Sequence, residues 1–131
     1  MEDQEWRVTG EGLFRWAPLL MELIAPHDVD VVIHSSWRLH YRLHELQEFF
    51  PEPLRHRIIA VTRGFGRYHS IIDYVCEHGI EKFLVLDDAK LEFPEGWPNL
   101  VHCDGQTGIS AEIVQQSVID FLSRNVKSLT L

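Results

Sequence analysis

Two stretches of the sequence, VVIHSSWR at residues 31–38 and KFLVLDD at residues 82–88, decide how the fold is interpreted. Each is a run of apolar residues that ends abruptly at polar side chains. Continuous apolar runs are typical of parallel strands that are covered on both faces. Because ligands of open α/β sheets bind beyond the carboxyl ends of the strands, the polar residues that follow each run are candidates for a functional site.

Helical and strand patterns alternate along the rest of the chain. Helices are predicted at residues 12–24, 38–50, 68–78 and after Ser110, and strands at residues 29–34, 57–61, 82–86 and 99–102. The alternation predicts a single α/β domain over residues 1–131, with a mostly parallel sheet of about four strands between two layers of helices.

Composition limits the class of protein. Hydrophobic residues make up 45% and charged residues 24% of the chain, which is ordinary for a soluble globular protein. No apolar run reaches the ~18 residues of a membrane helix, and the acidic N-terminus is unlike a signal peptide. Cys76 and Cys103 lack the spacing of a zinc site or a disulfide framework. We therefore expect a cytoplasmic protein without membrane contact, and the net charge of −8 argues against nucleic-acid binding.

The polar residues after the two apolar runs suit a phosphate and a metal ion. Ser35, Ser36 and Arg38 follow the first run, and hydroxyl and guanidinium groups bind phosphate. Asp87 and Asp88 follow the second run, and adjacent carboxylates repel each other and attract a hard cation such as Mg²⁺. The serines could instead cap a helix, Arg38 could pair with a surface carboxylate, and the Asp pair could form a turn.

The SSWR and LDD motifs together resemble the haloacid dehalogenase-like (HAD) superfamily of phosphohydrolases, in particular a small bacterial subgroup that carries both. The resemblance extends from about residue 14 to residue 110. It implies a three-layer, Rossmann-like HAD core in which Ser35 or Ser36 holds the substrate phosphate. It further implies that Arg67, or Arg63 in the same loop, neutralises the phosphoryl group.

One part of the HAD pattern is missing. HAD enzymes open with a strand that runs into Asp-x-Asp-Gly, whose first Asp is the nucleophile, and no such strand precedes Phe14. Asp28-Val29-Asp30 has the right letters but leads into a strand instead of ending one. The sequence therefore predicts no catalytic nucleophile, a weak or lost Mg²⁺ site, and possible binding of a small phosphorylated ligand. An active Mg²⁺-dependent phosphatase whose true start lies upstream, and a non-catalytic interaction protein, remain as alternatives.

The missing strand would lie at the centre of the sheet, so the strands on either side of it need other hydrogen-bonding partners. The strands around Val32 and Val85 could pair directly, the segment Glu5–Thr9 could fill the gap, or a second chain could complete the sheet. An open sheet centre would leave backbone N–H and C=O groups buried without hydrogen bonds, and each such group costs about 1–3 kcal/mol of stability. A second copy of the chain could satisfy these groups, so we expect a homodimer.

Overall fold

The computed structural model describes residues 17–34, 36–50, 52–64, 66–87, 89–103 and 111–131. Helices α1 to α4 span Ala17–Ile24, Leu43–Gln47, Arg67–Glu77 and Glu112–Ser123. Strands β1 to β5 span Asp30–Ile33, Ile58–Val61, Phe83–Asp87, Leu100–His102 and Ser128–Thr130. Short 3-10 turns occupy Ser36–Leu39, Arg55–Arg57 and Lys90–Glu92. Within the described ranges, no helix has the length and apolar character needed to cross a lipid bilayer.

The strands form one parallel sheet in the order β2-β1-β5-β3-β4. All five residues of β3 are buried, as the continuous apolar run predicted. Alternate β3 side chains contribute to two separate apolar clusters, and the helices divide between the same two clusters, α1, α2 and α4 in one and α3 in the other. The predicted α/β class with helices on both faces of a parallel sheet is therefore confirmed.

The centre of the sheet is filled by β5, a strand that the sequence analysis did not predict. Leu129 lies in register with Val31 of β1 on one side and with Leu84 of β3 on the other. Backbone hydrogen bonds extend this pairing beyond both ends of β5: Asp30 N–H donates to the Lys127 carbonyl at 3.0 Å, and Leu131 N–H to the Val32 carbonyl at 2.8 Å. The central strand is thus replaced by a segment near the end of the printed sequence.

This arrangement decides among the three expected repairs of the sheet. Direct pairing of the strands around Val32 and Val85 is wrong, because β5 lies between β1 and β3. The segment Glu5–Thr9 lies outside the described residues. In the described sheet, a strand of the same chain fills the centre. The homodimer was expected because the centre would be empty, and that reason no longer applies. The dimer itself stays a prediction.

The helix predicted over residues 38–50 is broken in two. Ser36–Leu39 is a 3-10 turn, and α2 begins only at Leu43. Arg42 has an extended backbone (φ −78°, ψ 164°), and its N–H donates to Oε1 of Glu45 at 2.8 Å. This local bond caps the start of α2 and separates it from the turn that follows β1.

Candidate functional site

A pocket of about 160 Å³ opens at the carboxyl ends of the strands. It is lined by His34, Arg38, Leu39, Gly66, Arg67 and Glu92. His34 directly follows β1, and Arg67 begins α3, which follows β2. Short connections at one edge of the parallel sheet therefore bring two arginines and a histidine together, at the edge where ligands of such sheets bind.

Arg38 is fixed at the pocket by backbone carbonyls. The 3-10 turn after β1 directs its guanidinium across the strand ends, where Nε donates to the His34 carbonyl at 2.8 Å and Nη2 to the Gly64 carbonyl at 3.1 Å. Nη1 lies 3.4 Å from the Thr62 carbonyl. No described carboxylate lies within ion-pair distance of Arg38. Its pKa is lowered by partial burial and by the nearby charge of Arg67, so two like charges share this pocket.

Arg67 is held by two carboxylates. Its Nη1 donates to Oδ2 of Asp87 at 2.9 Å, and its Nε donates to Oε2 of Glu92 at 3.1 Å. Partial burial alone would lower the pKa of Arg67, but the charges and hydrogen bonds of Asp87 and Glu92 raise it above its usual value. Gly66 precedes the helix with φ +82°, a conformation that L side chains rarely adopt, and this turn sets Arg67 at the start of α3.

His34 is a buried, uncharged histidine that lines the same pocket as the two arginines. Its side chain is buried, with Nδ1 2.8 Å from Oγ1 of Thr62. Burial, followed by the charges of Arg38 and Arg67, lowers the pKa of His34 to about 3, so the ring is neutral at physiological pH. Its Nε2 is buried and has no hydrogen-bond partner among the described residues.

The structure gathers the predicted phosphate residues only in part. Arg38 and Arg67 meet at one pocket, as the phosphate interpretation requires. Ser36 lies in the 3-10 turn, where only its backbone is described, and Ser35 lies outside the described residues. Arg63 is exposed and lines a different cavity, of about 470 Å³, between β2 and α3.

The sequence analysis missed His34 and Glu92. The signal for His34 was its position, because it is the last residue of an apolar run and immediately precedes SSWR. Glu92 had no comparable signal, since it lies 25 residues from Arg67, the side chain that it binds.

Asp87, the only one of the two predicted Mg²⁺ ligands that the structure describes, is bound to an arginine. Asp87 is 4% exposed, and both of its oxygens are engaged: Oδ2 accepts from Arg67, and Oδ1 accepts from the Ala89 N–H at 2.8 Å. The described ranges contain no group of three or more His, Cys, Asp or Glu side chains that could hold a metal ion. Mg²⁺ needs near-octahedral oxygen ligands, and Asp88, the second predicted ligand, lies outside the described residues.

Comparison with known proteins gives one family match. The family described as "HAD domain in Swiss Army Knife RNA repair proteins" matches residues 2–114, a range that includes both motifs. No curated protein gives a significant match, and neither does any solved structure.

Proposed function

The chain belongs to the family of HAD domains found in Swiss Army Knife RNA repair proteins, and we propose that its carboxyl-edge pocket binds a phosphorylated ligand without hydrolysing it. The observation that carries the proposal is the state of Arg38. Three backbone carbonyls fix its guanidinium at the pocket, while no described carboxylate balances its charge.

A phosphate group suits this arrangement of charges. Arg38 and Arg67 act on each other electrostatically, and an anion held between them would relieve that repulsion. A guanidinium presents N–H groups in a planar fork that matches phosphate oxygens. Because His34 stays neutral in this surrounding, it adds no further positive charge to the two arginines.

The strand at the centre of the sheet supports the proposal that the ligand is bound without being hydrolysed. The resemblance to HAD enzymes places the nucleophilic Asp at the carboxyl end of the central strand. Here the described strand in that place is Ser128–Thr130, and it contains no carboxylate side chain. Asp30 begins β1 at the opposite edge, so its Cα lies roughly 10 Å from that of Ile33 at the carboxyl end, too far to replace the nucleophile.

We propose a phosphomonoester as the ligand. The family's description refers to RNA repair proteins, and a phosphorylated RNA end is one source of this chemistry. The net charge of −8 disfavours contacts along a polynucleotide backbone, which depend on a positive field. We therefore expect binding to depend on the terminal phosphate rather than on the length of the nucleic acid.

Titration calorimetry tests the proposal with inorganic phosphate and with oligoribonucleotides that carry or lack a terminal phosphate. The wild-type protein should bind phosphate and the phosphorylated oligonucleotide, and should not bind the unphosphorylated one. Arg38→Met should weaken phosphate binding by about tenfold or more, because a charge-assisted hydrogen bond contributes about 1.5–3 kcal/mol. Arg124→Met is the matched control, since Arg124 is an exposed arginine at the C-terminal end of α4, outside the pocket.

Two results would overturn the proposal. Equal phosphate affinity in the wild type and in Arg38→Met would show that phosphate does not bind in this pocket. Mg²⁺-dependent hydrolysis of an aryl phosphate by the purified wild-type protein would show that the domain is an active phosphatase.

A further inference from the structure

We infer that this pocket holds its phosphorylated ligand without a divalent cation, and that Arg67 supplies the positive charge at the end of β3. The inference rests on the proposed function, because it concerns the same pocket and the same ligand class. It departs from the Mg²⁺ site that the Asp pair predicted, since the described carboxylate is paired with a guanidinium.

The first argument is the state of the Asp87 carboxylate. It is almost fully buried, and its two oxygens accept hydrogen bonds from Arg67 and from the Ala89 backbone. A cation on Oδ2 would have to share that oxygen with the Arg67 guanidinium, whose Nη1 lies 2.9 Å from it and whose positive charge would repel the cation. Displacing Arg67 would break a largely buried ion pair, which is costly, and Mg²⁺ would also have to give up part of a tightly held hydration shell.

The second argument is that Arg67 is held in place while some of its N–H groups are not used by the two carboxylates. A guanidinium has five N–H groups, and the hydrogen bonds to Asp87 and Glu92 engage one on Nη1 and the one on Nε. The Nη2 group is engaged by neither carboxylate. Arg67 is also the first residue of α3, an 11-residue helix, whose N-terminus adds partial positive charge and backbone donors at the same place.

The third argument is that the carboxylates bind Arg67, whereas the arginines are available to bind the ligand. Asp87 and Glu92 fix the orientation of Arg67 through ion pairs, and Glu92 also lines the pocket. Arg38 reaches the same pocket from the turn after β1, with its charge unmatched among the described carboxylates. Asp87 is thus a positioning residue for a guanidinium, and a phosphate would contact the arginines instead of a metal ion.

The two mechanisms of binding predict opposite results for Asp87→Asn. If a metal ion bridges Asp87 and the ligand, the variant loses phosphate binding. If Arg67 binds the ligand directly, the variant keeps phosphate binding or strengthens it, because one negative charge near the anion is gone. Arg67→Met should weaken phosphate binding by about tenfold or more, while the Arg124→Met control leaves the affinity unchanged.

Calorimetry with inorganic phosphate in excess EDTA and in millimolar Mg²⁺ decides the question. We expect the wild-type affinity to agree within about twofold between the two buffers, a difference of only ~0.4 kcal/mol in binding free energy. We also expect Asp87→Asn to bind at least as tightly as the wild type in both. The comparison of buffers needs no variant, so a poorly folded Asp87→Asn protein leaves the test intact.

The outcomes separate this inference from the proposed function. Phosphate binding that requires Mg²⁺ and disappears in Asp87→Asn overturns the cation-free site and leaves the phosphate pocket standing. No phosphate binding in either buffer overturns both.

Discussion

The buried imidazole of His34 should make the stability of the fold depend on pH. Its pKa lies at about 3 in the folded chain, because of burial first and then the charges of Arg38 and Arg67, against 6.5 for an unperturbed histidine. Between these two values the unfolded chain binds a proton that the folded chain excludes. The free energy of unfolding therefore falls as the pH falls through this interval.

The size of the effect follows from the same two values. A difference of one bound proton changes the free energy of unfolding by about 1.4 kcal/mol per pH unit. Between about pH 6.5 and about pH 4.5, the wild type should lose about 2 kcal/mol through His34 alone. The carboxylates that also titrate in this range are common to the wild type and to a variant of His34, so they cancel in a comparison of the two.

Urea unfolding followed by circular dichroism measures this difference. His34→Asn keeps a polar group able to bind Thr62 but cannot titrate, so its free energy of unfolding should fall less steeply with acid than that of the wild type. The gap between the two proteins should change by about 2 kcal/mol over the interval. His44→Asn, at an exposed site on α2, should follow the wild-type pH dependence. Parallel curves for the wild type and His34→Asn would refute a buried neutral histidine at this position.

Three further variants test the packing of the site and of the central strand by urea unfolding. Arg67→Met should lower the free energy of unfolding by about 2 kcal/mol. This is less than the ~3–5 kcal/mol of a fully buried pair, because the Arg67 side chain is 28% exposed. The double variant Arg67→Met/Asp87→Asn should regain most of the lost stability, and a failure to regain it would contradict the pairing. Ser128→Ala should raise the free energy of unfolding by about 1 kcal/mol, since the buried Ser128 hydroxyl has no hydrogen-bond partner among the described residues, and a clear loss would contradict that. Leu129→Ala should lower the free energy of unfolding by about 2–5 kcal/mol, because Leu129 is fully buried at the sheet centre. Leu91→Ala is the control and should not change it measurably, because Leu91 is 97% exposed. Equal stabilities of the two variants would contradict the placement of β5 at the centre.

The strands buried on both faces were predictable from the sequence because their residues share one environment. VVIH and KFLVL are nearly continuous apolar runs, and they contain all of β1 and β3 except Asp30 and Asp87. The central strand β5 was not predictable in the same way. Ser128 and Thr130 are polar, and they are buried because the backbone of β5 pairs with β1 on one side and with β3 on the other. Their own sequence carries little strand signal, so the tertiary context decides.

Two residues of the candidate pocket were named from the sequence, but their arrangement was not predictable. Arg38 and Arg67 were identified through the motif and the loop that carry them, and both reach the pocket. The pairing of Arg67 with Asp87 joins residues 20 positions apart, and no local pattern reports such a contact. The sequence therefore did not indicate that Asp87, an expected Mg²⁺ ligand, also binds an arginine. The neutrality of His34 likewise depends on long-range burial and on two charges from other elements.

The most direct test of the account is a crystal structure of the wild-type protein soaked with tungstate, a phosphate-sized oxyanion that is visible by its anomalous signal, in the presence of EDTA. The account predicts the oxyanion in the pocket beside His34, with Arg38 and Arg67 as its charged partners and Asp87 still bound to Arg67. A pocket without oxyanion at saturating tungstate, or an oxyanion bound away from both arginines, would contradict it.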